Sequence, residues 1–234
     1  MKKLKSLTRS LRSNHAYFIA CSLRVLLPQR KHAVMTCIVA VVDQGAIHMA
    51  CDSIGVDGYS MQVRADEKAF TNGEFIFGVC GSFRLNQILR YDFSPPTCGA
   101  LNDDQVHRFM VTEFVKEMRK CLNDAGYMRK EDNLEEFGDD SAFLVGLRGR
   151  LFQISEDMQV GESTHSYDSV GCGADIALGA MFASVNMPPK ERLLLALKVS
   201  ETFNAGVRGP FQVTTLKPKI LEMQKRKPRK SKPR

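Results

Sequence analysis

β-branched and other apolar residues fill residues 36–42, "TCIVAVV". The triplet "DQG" then offers a glycine-ended turn, and "AIHMAC" runs back as a second apolar stretch. Two such runs around a short turn predict a β-hairpin. The same arrangement recurs twice. "EKAF", "TNG" and "EFIFGVC" span 67–80, and "SAFLVGL", "RG" and "RLFQISE" span 141–156. After Gly81 the period changes. In "SFRLNQILRY" the residues Leu85, Ile88 and Leu89 form one stripe, with Phe83, Gln87 and Arg90 off it, which is helical spacing. "SPPTCG" ends that helix. Residues 103–126 carry the clearest helical pattern: Val106, Phe109, Met110, Phe114, Met118, Cys121 and Leu122 recur at three and four. Asp103 or Asp104 is expected to cap its start and Gly126 to end it.

Residues 127–140, "YMRKEDNLEEFGDD", read as a polar loop. "VGCGADIALGAMFASV" reads as a turn into a helix. "PPKERLLLALKVSETFNAG" is a second helix opened by two prolines, and "GPFQVTTL" is a last strand. Hairpins thus alternate with helix pairs, which excludes a simple alternating parallel α/β sheet. The order fits an α+β chain folded as an αββα sandwich. Two stacked, mainly antiparallel sheets would be covered by helices on both outer faces.

Charge changes the picture of the chain ends. The 234 residues carry 33 Lys/Arg and 26 Asp/Glu, a net +7. Residues 1–35 hold eight of the bases and no acid, and residues 217–234 hold nine bases and one acid. That leaves 16 bases and 25 acids in 36–216, a net −9. The expected organisation is therefore a basic leader over 1–35, a domain over 36–216 and a basic, unstructured tail over 217–234. The leader would be a propeptide or an upstream extension. An acidic domain does not favour nucleic acid as a partner, whatever the tails contribute. Seven cysteines lie without a CxxC pair, which argues against a zinc site or a disulfide framework. Reduced, packed thiols in a cytoplasmic protein are expected. No run approaches the length of a membrane span, and no pattern calls for a metal or a cofactor.

Thr36, at the head of the first strand, is where chemistry enters. An alcohol is a poor nucleophile near neutral pH. If the chain began at Thr36, its own α-amine would lie beside the hydroxyl, with an ordinary pKa of about 7.7–8.0. That amine could take the hydroxyl proton, the threonine version of an activated nucleophile. A lysine nearby would keep the amine neutral, and an aspartate would keep the lysine charged and oriented. Asp52 closes the first hairpin and Lys68 opens the second, each 16 residues beyond the last. Lys68 is expected in an open cleft, removable without loss of the fold. Gly81, between a strand and a helix, can offer its N–H to an oxyanion. The bland reading leaves Thr36 as a strand residue, and Asp52 and Lys68 as a structural ion pair.

"TCIVAVVDQGAIHMACDS", "ADEKAF", "GVCGS" and "SVGCGADIALGA" resemble the proteasome β subunit and HslV peptidase family of N-terminal nucleophile hydrolases. The resemblance spans about 36–216. It implies the αββα sandwich, Thr36 as nucleophile, Asp52 and Lys68 as its catalytic partners, and Gly81 as oxyanion donor. It also implies a peptide or unfolded-protein substrate, a homo-oligomeric ring and an unfolding ATPase as a possible partner. Two supporting positions depart from the family pattern. Cys172 replaces the usual serine of a "GSG" turn, and Asn204 stands where an aspartate usually supports the threonine amine. A non-peptidase amidase on the same fold is one alternative, and these departures leave open a second, an inactive ring-forming protein.

Overall fold

The computed structural model describes residues 35–99, 101–131, 134–138 and 141–218. The chain first forms β1 (Ile38–Asp43), β2 (Ala46–Cys51), β3 (Ile54–Asp57), β4 (Ser60–Val63), β5 (Ala69–Asn72) and β6 (Phe75–Cys80). The helical stretch α1 (Phe83–Gln87) runs on into a π turn, Ile88–Asp92. Next, α2 (Asp103–Phe109) passes through a π segment, Met110–Phe114, into α3 (Val115–Asp124). Then come β7 (Arg129–Glu131), β8 (Leu134–Glu136), β9 (Ala142–Leu147), β10 (Arg150–Ser155), β11 (Val160–Glu162) and β12 (Tyr167–Val170). The chain closes with α4 (Ala174–Ala183), α5 (Pro189–Phe203) and β13 (Gln212–Leu216).

The strands make two main sheets, ordered β12-β1-β2-β13 and β11-β10-β9-β6-β5, with antiparallel pairing throughout. Side-chain alternation sorts the strands into layers. Ile38 and Ala40 of β1 meet Ile76, Leu144 and Leu151 of the other sheet. Their neighbours Cys37, Val39 and Val41 point the other way, onto Ala177 and Met181 of α4 and Leu193, Ala196 and Leu197 of α5. On the far side, Phe75, Phe77 and Val79 of β6 pack with Leu85, Val106, Phe109, Phe114, Met118 and Leu122 of the other helices. Three apolar interfaces separate four layers, and the architecture is αββα. The sheets approach closely at Gly78, where an added Cβ would lie 2.5 Å from both Ile38 Cγ2 and Met49 Sδ.

Several elements differ from the sequence expectation. The cap of α2 is Asn102, not Asp103 or Asp104. Its side chain accepts from Gln105 N at 3.0 Å, and Gln105 Oε1 accepts from Asn102 N at 3.0 Å, a capping box. The segment read as a polar loop contains the β7–β8 hairpin. The β3–β4 hairpin carried no periodic signal because β4 is exposed along its whole length and has no buried face to pattern. Strands β11 and β12 are three and four residues long, too short to show a period. Met35 is the one described residue of the expected leader, and Lys217 and Pro218 are the described residues of the expected tail; the rest of both segments lies outside the described residues.

Candidate active site

Pairing in the first sheet sets two of the three residues. Ile38 faces Cys51 across β1 and β2, so the residues just beyond, Cys37 and Asp52, continue the pair. Asp52 N donates to Cys37 O at 3.3 Å, and Cys37 N donates to Asp52 Oδ1 at 2.9 Å. Thr36, one residue earlier, is thereby held beside the Asp52 carboxylate. Lys68 comes from the second sheet, directly ahead of β5. Val79 N donates to its carbonyl at 2.9 Å, which fixes Lys68 on the edge of the sheet that faces Thr36. The two 16-residue intervals are thus one hairpin return and one crossing between sheets.

The three side chains form a continuous chain. Lys68 Nζ donates to Thr36 Oγ1 at 2.8 Å and to both Asp52 carboxylate oxygens at 3.0 Å. All three residues are at most 3% exposed. An ammonium has three protons, and here three acceptors receive them. Lys68 therefore acts as a donor in this arrangement, and it cannot at the same time accept the Thr36 proton. The Thr36 hydroxyl in turn donates to Met35 O at 2.6 Å. Ile54 N adds a further donor to Asp52 Oδ2 at 3.3 Å. Among the described residues no buried side-chain nitrogen or oxygen lacks a hydrogen-bond partner. Burial pushes the Asp52 carboxyl above the ordinary aspartate range, while the Lys68 charge and the N–H groups of Cys37 and Ile54 pull against that shift. The expectation that Lys68 lines an open cleft is corrected. Lys68 is a buried partner of a buried carboxylate.

The turn before α4 supports Thr36 from the other side. Gly173 N lies 3.4 Å from Thr36 O, and Cys172 Sγ lies 3.5 Å from it. Gly171 has φ +103, and a Cβ there would fall 2.1 Å from Thr36 O. Only glycine allows this approach. Asn204 braces the same turn. Its Nδ2 donates to Cys172 O at 2.7 Å, and its Oδ1 accepts from Gly206 N at 2.8 Å and from Cys172 Sγ at 3.3 Å. Asn204 thus reaches Thr36 through Cys172. Gly81 stands at the start of α1, with φ +137 and packed against Ser141. It follows Cys80, whose sulfur lies on the same side of Gly171 as the Thr36 carbonyl. Cys37 and Cys80 are packed thiols that burial pushes up to about 11 and about 12. Neither is a candidate nucleophile.

Other residues at the site gave no sequence signal of their own. Ser53 locks the backbone after Asp52, with its hydroxyl donating to Pro210 O at 2.7 Å and its N–H to Arg208 O at 3.3 Å. Phe83, off the apolar stripe in sequence, has its ring centroid 5.9 Å from Lys68 Nζ, and Arg64 lies over the ring at 3.8 Å. These contacts come from residues distant in the chain or separated by an unpatterned hairpin.

Solved structures share this arrangement of layers. Two structures of BPH from Thiobacillus denitrificans, one of them in complex with epoxomicin, match it with a TM-score of 0.64 at 22% and 23% identity. The matches cover 78% and 79% of this chain and 100% of theirs. The fold is the proteasome-like one. HslV from Trypanosoma brucei shares the proteasome-like fold at a TM-score of 0.54 and 14% identity, covering 77% of this chain and 98% of that one. The Gly-1 mutant of Anbu from Hyphomicrobium sp. strain MC1 matches at 0.54 and 17%, covering 76% of this chain and 80% of its own. No protein-family model matches the sequence. No curated protein matches it either. Among the described residues no helix is long and apolar enough to cross a membrane.

Proposed function

We propose that the protein is a threonine-type N-terminal nucleophile hydrolase that cleaves peptide bonds in peptides or unfolded protein. The observation that carries this reading is the buried chain from Thr36 Oγ1 through Lys68 Nζ to Asp52. While Met35 is attached, the Thr36 nitrogen is an amide and no base. Opening the Met35–Thr36 bond turns it into an amine one residue's reach from the hydroxyl. The positive charge of Lys68 favours the neutral amine and the developing alkoxide, and Asp52 holds Lys68 charged and in place.

In this mechanism the amine takes the hydroxyl proton as Oγ1 bonds to the substrate carbonyl carbon. The carbonyl oxygen becomes an oxyanion, and the Gly81 N–H donates to it. Collapse breaks the C–N bond, and the ammonium returns its proton to the leaving amine. The product is an ester on Thr36 Oγ1. Water, deprotonated by the same amine, then attacks the ester, releasing the acid and restoring the hydroxyl. Cys172 and Asn204 hold the Thr36 carbonyl and its turn, a positioning role that needs no carboxylate at 204. A homo-oligomeric ring and an unfolding ATPase partner belong to the same proposal, on the strength of the shared fold.

Epoxomicin, bound by one structural neighbour, is a suitable probe. The purified protein is incubated with it and mapped by mass spectrometry. A single adduct on Thr36 supports the reading. A protein with a free Thr36 terminus that neither binds the probe nor cleaves a peptide library overturns the peptidase reading and leaves only the fold.

A further inference from the structure

The last turn of α5 meets the turn before α4 at two points. Asn204, which caps α5, donates to Cys172 O. One helical turn earlier, Ser200 reaches the next carbonyl: its hydroxyl donates to Gly173 O at 3.1 Å. Ser200 is fully buried, and α5 otherwise buries Leu193, Ala196 and Leu197 against the first sheet. A hydroxyl placed among apolar side chains needs its bonds. Its oxygen also accepts from Cys37 Sγ at 3.8 Å. Ser200 therefore reaches Thr36 by two routes. One runs through Gly173, whose N lies 3.4 Å from Thr36 O. The other runs through Cys37, which follows Thr36 in the chain and donates its N–H to Asp52 Oδ1. Neither partner needs Ser200 to be satisfied. Ala177 N donates to Gly173 O at 3.0 Å as α4 begins, and Cys37 Sγ lies 3.9 Å from Ser169 Oγ. The Ser200 hydroxyl thus adds placement to groups that are already bonded.

From this arrangement we propose that Ser200 is a positioning residue: it fastens Gly173 and Cys37 to α5, and so sets where the Thr36 hydroxyl stands against Lys68 and the substrate carbonyl. The inference rests on the hydrolase reading above. A nucleophile that begins the chain has lost its upstream anchor. Its place then depends on its carbonyl, on the residue that follows and on the Lys68 bond, and Ser200 acts on the first two. Asn204 acts on the neighbouring peptide, at Cys172, so the two side chains divide the turn between them. Holding reacting groups in the productive geometry supplies much of an enzyme's rate, and a displacement of about 1 Å can cost on the order of a hundredfold. Losing the Ser200 bond should therefore slow the chemical step and leave substrate binding as it was.

The test uses the full chain with a verified Thr36 terminus. Ser200→Thr and Ser200→Val have nearly the same shape and differ in the hydroxyl, so strain from the added bulk is common to both. On each, and on Ser200→Ala, kcat and KM for one peptide are measured, together with the rate of epoxomicin addition at Thr36 and the thermal midpoint. Ser200→Val is expected to lose at least about tenfold in kcat and in addition rate relative to Ser200→Thr, with KM unchanged and similar midpoints. Ser200→Ala should show the same loss relative to wild type, and it carries the test alone should the two bulkier variants not fold. Equal kcat in the Thr and Val variants, or wild-type kcat in Ser200→Ala, overturns the inference and leaves the hydrolase reading intact. So does a loss that lies in KM, or one that only follows the fraction of unfolded protein at the assay temperature. A wild type that neither reacts with epoxomicin at Thr36 nor cleaves the peptide overturns both.

Discussion

At the scale of single residues, the site depends on one buried cation. Lys68 satisfies both oxygens of a carboxylate that is itself fully buried. Removing one member of such a pair leaves an uncompensated charge, at a cost of about 3–5 kcal/mol. Lys68→Ala is therefore expected to abolish turnover and to lower stability by that order, which urea unfolding and a peptide assay on the same preparation would show. Full stability in the variant would mean that Asp52 is protonated or hydrated when alone. The acid limb of activity follows from the Thr36 amine, which must be neutral to take the hydroxyl proton and whose ordinary pKa is about 7.7–8.0. The nearby Lys68 charge favours the neutral amine, so kcat/KM should fall with decreasing pH with a midpoint at or below that range. A kcat/KM profile that stays flat from there down to the ordinary aspartate range would contradict this. The proximity of Thr36, Asp52 and Lys68 was legible in sequence because their spacing reflects a hairpin and a crossing. The burial of Lys68 was not, since it depends on the second sheet closing over the first.

Elements explain what the chain pattern could and could not reveal. Hairpins β1–β2, β5–β6 and β9–β10 were visible because each sets strand-like apolar stretches on either side of a short turn that ends in glycine. Helix α5 was visible by its two opening prolines and its apolar spacing. Exposed or very short strands, β3, β4, β7, β8, β11 and β12, had no such signature. The consequence for the site is specific, because β12 ends at Val170 and the next residue, Gly171, brings the turn onto Thr36. Gly171→Ala is expected to push the Thr36 carbonyl away and strain the turn, since the new Cβ would meet it at 2.1 Å and φ there is +103. Turnover should fall far more than stability; the strain of a non-glycine residue in such a conformation is about 1–3 kcal/mol. Peptide turnover compared with thermal unfolding checks this, and an active variant would remove the turn from the mechanism.

At the scale of the molecule, the four layers were readable from the order of hairpins and helix pairs, and the charge separation added that residues 36–216 carry a net −9 between basic ends. Assembly was not readable, because a ring contact needs a matched surface and not a period. A ring of identical protomers would give a native mass several times that of one protomer, which is 26.2 kDa before any loss of residues 1–35, in light scattering after size exclusion. A monomer that still turned over peptide would separate assembly from catalysis.

The state of Thr36 in the active protein decides most directly whether it is the nucleophile. Mass spectrometry of the natively purified, catalytically competent chain after reaction with epoxomicin reads both the first residue and the site of modification. The predicted result is a chain that begins at Thr36 and carries one adduct there. A competent protein that retains residues 1–35, or an adduct confined to Cys172, would contradict it.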